Sequence, residues 1–147
     1  MYDVKRIAGY FLEKSKPGTR YAITHLKLQK LIYYAQAWSL ANNSTPLFKN
    51  EILAWDHGPV IREIFDKYKK HRRFTIHLSD EDTETKIEDE HQKTLDFVWK
   101  TYGKFHGKFL EELTHQEYPW LSTTKDQVIS NEKMTEYYGK QLLSDRG

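Results

Sequence analysis

The side chains available for chemistry in this 147-residue sequence are seven histidines and 21 Asp and Glu, with no cysteine among them. Catalytic zinc held by a helix takes His at i and i+4 with a Glu beside the first. None of His25, His57, His71, His77, His91, His106 and His115 stands at that spacing from another. Thr114-His115-Gln116-Glu117 has the H-x-E look of a zinc deaminase, but that pattern also needs a later pair of cysteines. A three-ligand site assembled from distant residues is the one metal arrangement left open. Nucleophilic catalysis has no foothold, because no Gly-x-Ser-x-Gly elbow occurs. The seven glycines form neither Gly-x-Gly-x-x-Gly nor a Walker-type loop. Carboxylates crowd into Ser79–Glu90, where seven acids face one lysine, and such a run reads as a solvated face. No catalytic constellation emerges, so neither enzymatic activity nor a cofactor is expected.

The formal net charge of +2 excludes a polybasic DNA binder that would work by bulk phosphate neutralisation. Lys67, Lys69, Lys70, Arg72 and Arg73 form a local basic cluster. They either follow phosphates or complement the dipole at a helix C-terminus, with the adjacent acidic loop partly neutralising them. No helix-turn-helix spacing with a polar recognition helix accompanies them, and direct DNA binding is not expected. The apolar stretches fall far short of the roughly 18 residues of a membrane span. MYDVKRIAGYF lacks the uninterrupted apolar region of a signal peptide. A soluble cytoplasmic protein, without membrane association, is the expectation.

The elements that must position these residues are mostly helices. Asp3 can cap a first one, with Val4, Ile7, Ala8, Phe11 and Leu12 along one face, ended by Pro17-Gly18. Thr24 can cap a second, in which Leu28, Leu31, Ile32, Ala35 and Trp38 form one side and Tyr33, Tyr34, Ala37 and Leu40 fill the rest. A helix apolar nearly all round is the central one. A third is predicted to open at Pro59, a fourth to run from about Thr85 to Tyr102, and a short fifth to carry Phe105, Phe109, Leu110 and Leu113. Pro119 closes that region, and a last helix opens near Ser130. Glu51–Trp55 and Phe74–His77 are the β-prone runs and are expected to pair with each other. The predicted fold is mainly α, a single compact helical domain over residues 1–147 of about six helices with a small two-stranded β element.

Three blocks carry a resemblance. The first is Leu28-Gln29-Lys30-Leu31-Ile32-Tyr33-Tyr34-Ala35-Gln36-Ala37-Trp38. The second is Pro46-Leu47-Phe48, Ile52 and Ala54-Trp55-Asp56-His57-Gly58-Pro59-Val60, and the third is Thr114-His115-Gln116-Glu117-Tyr118-Pro119-Trp120. In this order the chain, from about Met1 to Leu143, resembles the Panacea domain family, the SocA-like or GepA-like phage-associated proteins. The resemblance implies an antitoxin of a toxin–antitoxin system. Such proteins are typically encoded beside an unrelated toxin gene, often on prophages, and neutralise that toxin by direct contact. One branch instead hands its toxin to a ClpXP-type protease, and that adaptor role is the alternative. A nucleic-acid-binding regulator comes third.

Ten tyrosines and four tryptophans suit a binding module, since they bring large contact area with little rotamer entropy to lose. The partner-binding candidates are Lys27, Lys30, Tyr34, Trp55, His57, His115 and Trp120. Lys27 and Lys30 keep charge on an apolar helix, where they either face a partner or snorkel past neighbours. Trp55 and Trp120 either face a partner or anchor irregular segments to the core. His57 and His115 are either hydrogen-bonded structural residues or, with Lys30, the lining of one polar cleft that receives part of the toxin. The acidic run from Asp80 to Glu90 could steer a basic toxin inward.

Overall fold

The second helix sets the architecture. In the computed structural model, which describes residues 1–78 and 86–146, α2 (His25–Asn43) is buried at every position from Lys27 to Leu40. The Thr24 hydroxyl accepts from the Lys27 backbone N–H at 3.3 Å and starts the helix; Ser44, at φ 58°, ends it in a left-handed cap. Around it pack α1 (Val4–Lys14), α4 (Asp89–Tyr102), α5 (Gly107–His115) and α7 (Asn131–Arg146). Asp3 caps α1 by accepting from Lys5 N–H at 2.9 Å, and Val4, Ile7, Ala8, Phe11 and Leu12 are buried. The short α3 (Arg62–Tyr68), a 3-10 turn at Lys69–His71, and α6 (Tyr118–Leu121) complete the helices of the described residues. No helix among them is long and apolar enough to cross a membrane.

The small sheet is not the one expected. Strand β1 (Leu53–Trp55) pairs antiparallel with β2 (Gly58–Val60), with Trp55 opposite Gly58 and Leu53 opposite Val60. Pairing across a two-residue connection closes a far shorter loop than pairing with Phe74–His77, so its entropic cost is lower. Gly58 makes the reversal with φ 102°, a conformation that L side chains rarely adopt. Pro59 therefore lies in a strand, and α3 starts at Arg62 instead. Residues 126–129 cover the other edge of β1 through Asp126 N–H to Ala54 O (2.8 Å), Ala54 N–H to Gln127 O (2.9 Å) and Ile129 N–H to Ile52 O (2.8 Å). The Phe74–His77 run lies against the segment before α2 through Ile76 N–H to Ile23 O at 2.9 Å. Pro119 opens α6 rather than closing the region, and α4 begins at Asp89 rather than Thr85. Of the acidic run, residues 79–85 lie outside the described residues.

Two glutamines on α2, two turns apart, tie irregular segments to the helix. Gln29 accepts from Ile61 N–H at 2.9 Å and donates to Ile61 O at 3.2 Å. Gln36 accepts from Leu47 N–H at 2.7 Å and donates to Phe48 O at 2.9 Å. Each amide acts as a piece of sheet ladder for a chain that has no strand partner there. Gln36→Met keeps the volume and orphans buried backbone groups at Leu47 and Phe48. Its expected cost is about 2–4 kcal/mol, read as a lower urea midpoint with an unchanged m-value.

Candidate functional site

Where the β1–β2 hairpin crosses the first turns of α2, the surface opens into a cleft of about 710 Å³. Trp55, Phe65 and His25 wall one side. Phe65 meets Trp55 edge-on at 5.1 Å and lies 5.6 Å from the His25 ring, and the Arg62 guanidinium sits 5.4 Å from the Trp55 centroid. Beneath the hairpin is Lys30, fully buried, whose ammonium donates to Pro59 O at 3.1 Å. A Cβ on Gly58 would sit 2.6 Å from Lys30 Cε and push the lysine tail aside, in addition to the strain of a side chain at φ 102°. Gly107 likewise lets α5 approach the start of α2, since a Cβ there would come within 2.9 Å of Lys27 N. That approach brings Glu111 of α5 to the cleft.

Burial and neighbouring charges together decide the ionisation of these groups. Loss of hydration pushes the Lys30 ammonium down to about 7, with Glu111 opposing the shift. Burial pushes the Glu111 carboxyl up, but Lys108 and the neighbouring His57 and His115 outweigh it and hold it below its usual range. Its Oε1 lies 3.1 Å from His57 Nδ1 and its Oε2 accepts from Lys108 Nζ at 2.8 Å. His25 is driven down to about 4 by burial, then by Lys30 and His71. It is therefore neutral at pH 7, and its Nε2 accepts from the Gln29 amide at 3.1 Å.

Of the seven sequence candidates, Lys30, Trp55 and His57 line this cleft. The others have different places. Lys27 is buried and donates to Gly103 O (2.6 Å) and Arg20 O (3.0 Å), so it neither snorkels nor faces a partner. It closes the C-terminus of α4, where a cation complements the helix dipole, and burial pushes it down to about 8. Tyr34 is also buried. It stacks on Tyr102 at 3.9 Å, and its hydroxyl donates to Glu117 Oε1 at 2.7 Å. Tyr138 donates to the same oxygen at 3.0 Å, and burial raises the Glu117 carboxyl against those two hydrogen bonds. His115 does not join Lys30 and His57 in the cleft; it stacks on Trp120 at 4.0 Å. The Trp120 indole donates to Trp55 O at 2.9 Å and so staples α6 to the back of the hairpin.

Sequence reasoning missed His25, Phe65 and Glu111 as cleft residues. Glu111 follows Leu110 on an ordinary amphipathic helix, and only the Gly107 contact brings it inward. Arg72 and Arg73 also line the cleft; their basic cluster is visible in the sequence, but its neighbours are not.

The chain matches the family model described as antitoxin SocA-like, Panacea domain, over residues 28–121. The match covers more than half of the chain, which therefore belongs to that family. No curated protein and no solved structure matches it.

Lys30 provides a pH test of the buried site. Folded Lys30 releases its proton near pH 7, whereas an unfolded lysine does so near 10.5. Between those values the unfolded chain binds more protons, so stability rises with pH and is lost as pH falls through about 7. Lys27 adds the same sign from about 8 upward. In Lys30→Met, urea midpoints between pH 6 and 8 should show a shallower rise than in the wild type. An equal slope in both would mean that Lys30 does not titrate in that window.

Proposed function

We propose that this protein is an antitoxin that neutralises the protein toxin encoded by its adjacent gene, by direct contact through the hairpin cleft. One observation carries the reading. The span that matches the SocA-like family, residues 28–121, contains Lys30, Trp55, His57 and Glu111 of the cleft, while His25, Leu26, Lys125 and Asp126 of its lining fall outside that span. The neutralisation needs no catalysis and no cofactor, and it takes place in the cytoplasm without direct DNA contact. The cleft suits stoichiometric binding because its parts are held in place before a partner arrives. The hairpin is fixed by Gly58, by residues 126–129 and by the Trp120 indole, so little ordering entropy remains to be lost.

Co-expression with the adjacent gene product tests this, scored by growth rescue and co-purification together. Rescue with a stable complex is expected. Rescue without a complex, lost when a ClpXP-type protease is deleted, would replace neutralisation by proteolytic delivery. The His57 side chain is 78% exposed, and Glu111 keeps Lys108 as a partner without it, so His57→Ala should lower stability by no more than about 1 kcal/mol. It should weaken the complex by about tenfold, measured by calorimetry on the purified pair. Unchanged affinity would move the contact surface away from the cleft.

A further inference from the structure

The charges around the cleft are not evenly compensated. Lys108 is paired with Glu111 at 2.8 Å, and Lys125 with Asp56 at 3.2 Å. Arg72 and Arg73, which also line the cleft, have no carboxylate partner among the described residues; the Arg73 guanidinium lies 5.6 Å from the centroid of the Phe74 ring. The same cleft holds the buried Lys30, whose one hydrogen bond among the described residues is to Pro59 O. Trp55, Phe65, Leu26 and Val60 give the same cleft an apolar and aromatic lining.

Arg72 is also held against its own backbone preference. It follows the 3-10 turn at φ 53° and ψ −126°, inside a turn closed by Phe74 N–H to His71 O at 3.0 Å. Such a conformation favours glycine, and an arginine there lowers stability. The Arg72 side chain is exposed and forms no hydrogen bond or ion pair among the described residues that would offset that strain.

From this arrangement we infer that the cleft receives an acidic, apolar peptide segment of its partner, in which an Asp or Glu stands beside a bulky apolar residue. The apolar side chain lies on Trp55 and Phe65, and the carboxylate meets Arg72 and Arg73 in the cleft that holds Lys30. This deepens the antitoxin reading and rests on it for the identity of the partner. A nucleic acid fits less well. Its phosphates come one per nucleotide and need a continuous run of cations, whereas Asp56, Glu111 and Asp126 interrupt the lining. A peptide with one or two carboxylates matches the small surplus of positive charge. Bringing its anion close to Lys30 also favours the protonated ammonium, so binding takes up a proton where Lys30 alone, at about 7, is partly neutral.

The test uses the whole chain and three blocked hexapeptides of one sequence. Each carries a leucine and a phenylalanine flanked by two glutamates, two glutamines or two lysines. Binding is followed by NMR at the Trp55 indole N–H and the Gly58 and Arg72 amides. The glutamate peptide should shift these signals saturably and bind at least about fivefold more tightly than the glutamine peptide, with the lysine peptide weaker still. Equal binding of the three, shifts confined to another face, or preference for a thymidine dinucleotide would overturn the inference.

Arg72→Gly separates a binding role from a structural one. It should raise the thermal midpoint, by relieving the backbone, and weaken the glutamate peptide by at least about fivefold. A raised midpoint with unchanged binding would overturn the inference, as would a lowered midpoint with binding unchanged in Arg73→Gln as well. The two readings fail separately. A wild-type chain that neither rescues growth nor co-purifies with the neighbouring product sinks the antitoxin reading, while the peptide contrast supports the cleft chemistry. Rescue by the wild type without any peptide contrast sinks only the cleft chemistry.

Discussion

A helix surrounded on all sides has nowhere to solvate its polar side chains, and that constraint organises this protein. Lys27, Gln29, Lys30, Gln36 and Ser39 of α2 are all buried. Every one donates to a backbone carbonyl of a segment outside the regular interior of any helix. The acceptors are Gly103 and Arg20, Ile61, Pro59, Phe48 and Thr45, respectively. Each bond answers two demands at once, because a buried side-chain donor and a buried carbonyl both lose water on folding. The central helix is thus an apolar core element and the fastener for the turns around it. Of the carbonyls it holds, Pro59 and Ile61 belong to the hairpin and its exit, which form the cleft.

A second buried network sits further along the same helix and has a different character. Tyr34 and Tyr138 both donate to Glu117, and the Tyr33 and Tyr138 hydroxyls lie 3.0 Å apart. This group joins α2, α7 and the start of α6. It gives the partly buried carboxylate between His115 and Trp120 two hydroxyl donors. The Trp120 indole then reaches from α6 to Trp55 O. The third sequence block is in this way a brace for the second: it supports the hairpin from behind, while the cleft opens in front.

Much of the fold was legible because local rules agreed with the tertiary outcome. The Asp3 and Thr24 caps, the stripe of α1 and the all-round apolarity of α2 are properties of short windows, and the structure keeps each of them. The sheet was misread because β propensity names strands and not partners. The glycine at position 58 made the local hairpin the cheaper closure, and propensity carried no record of that. The cleft was half legible. Trp55, His57 and Lys30 come from distinctive blocks, whereas Glu111 and Phe65 lie on helices whose patterns look ordinary.

Lys27 and Lys30 mark the boundary between the two kinds of information. Sequence by itself established that charge sits on an apolar central helix, that the chain is mainly helical, and that its three blocks resemble the SocA-like family. It could not say where those ammonium groups end, because that depends on which carbonyls the loops bring to them. Only the tertiary structure sends Lys27 to the end of α4 and Lys30 beneath Gly58. The physical reason is desolvation. A buried cation must find an acceptor wherever the folded chain supplies one, and residues 59 and 103 are brought to α2 by packing rather than by sequence proximity.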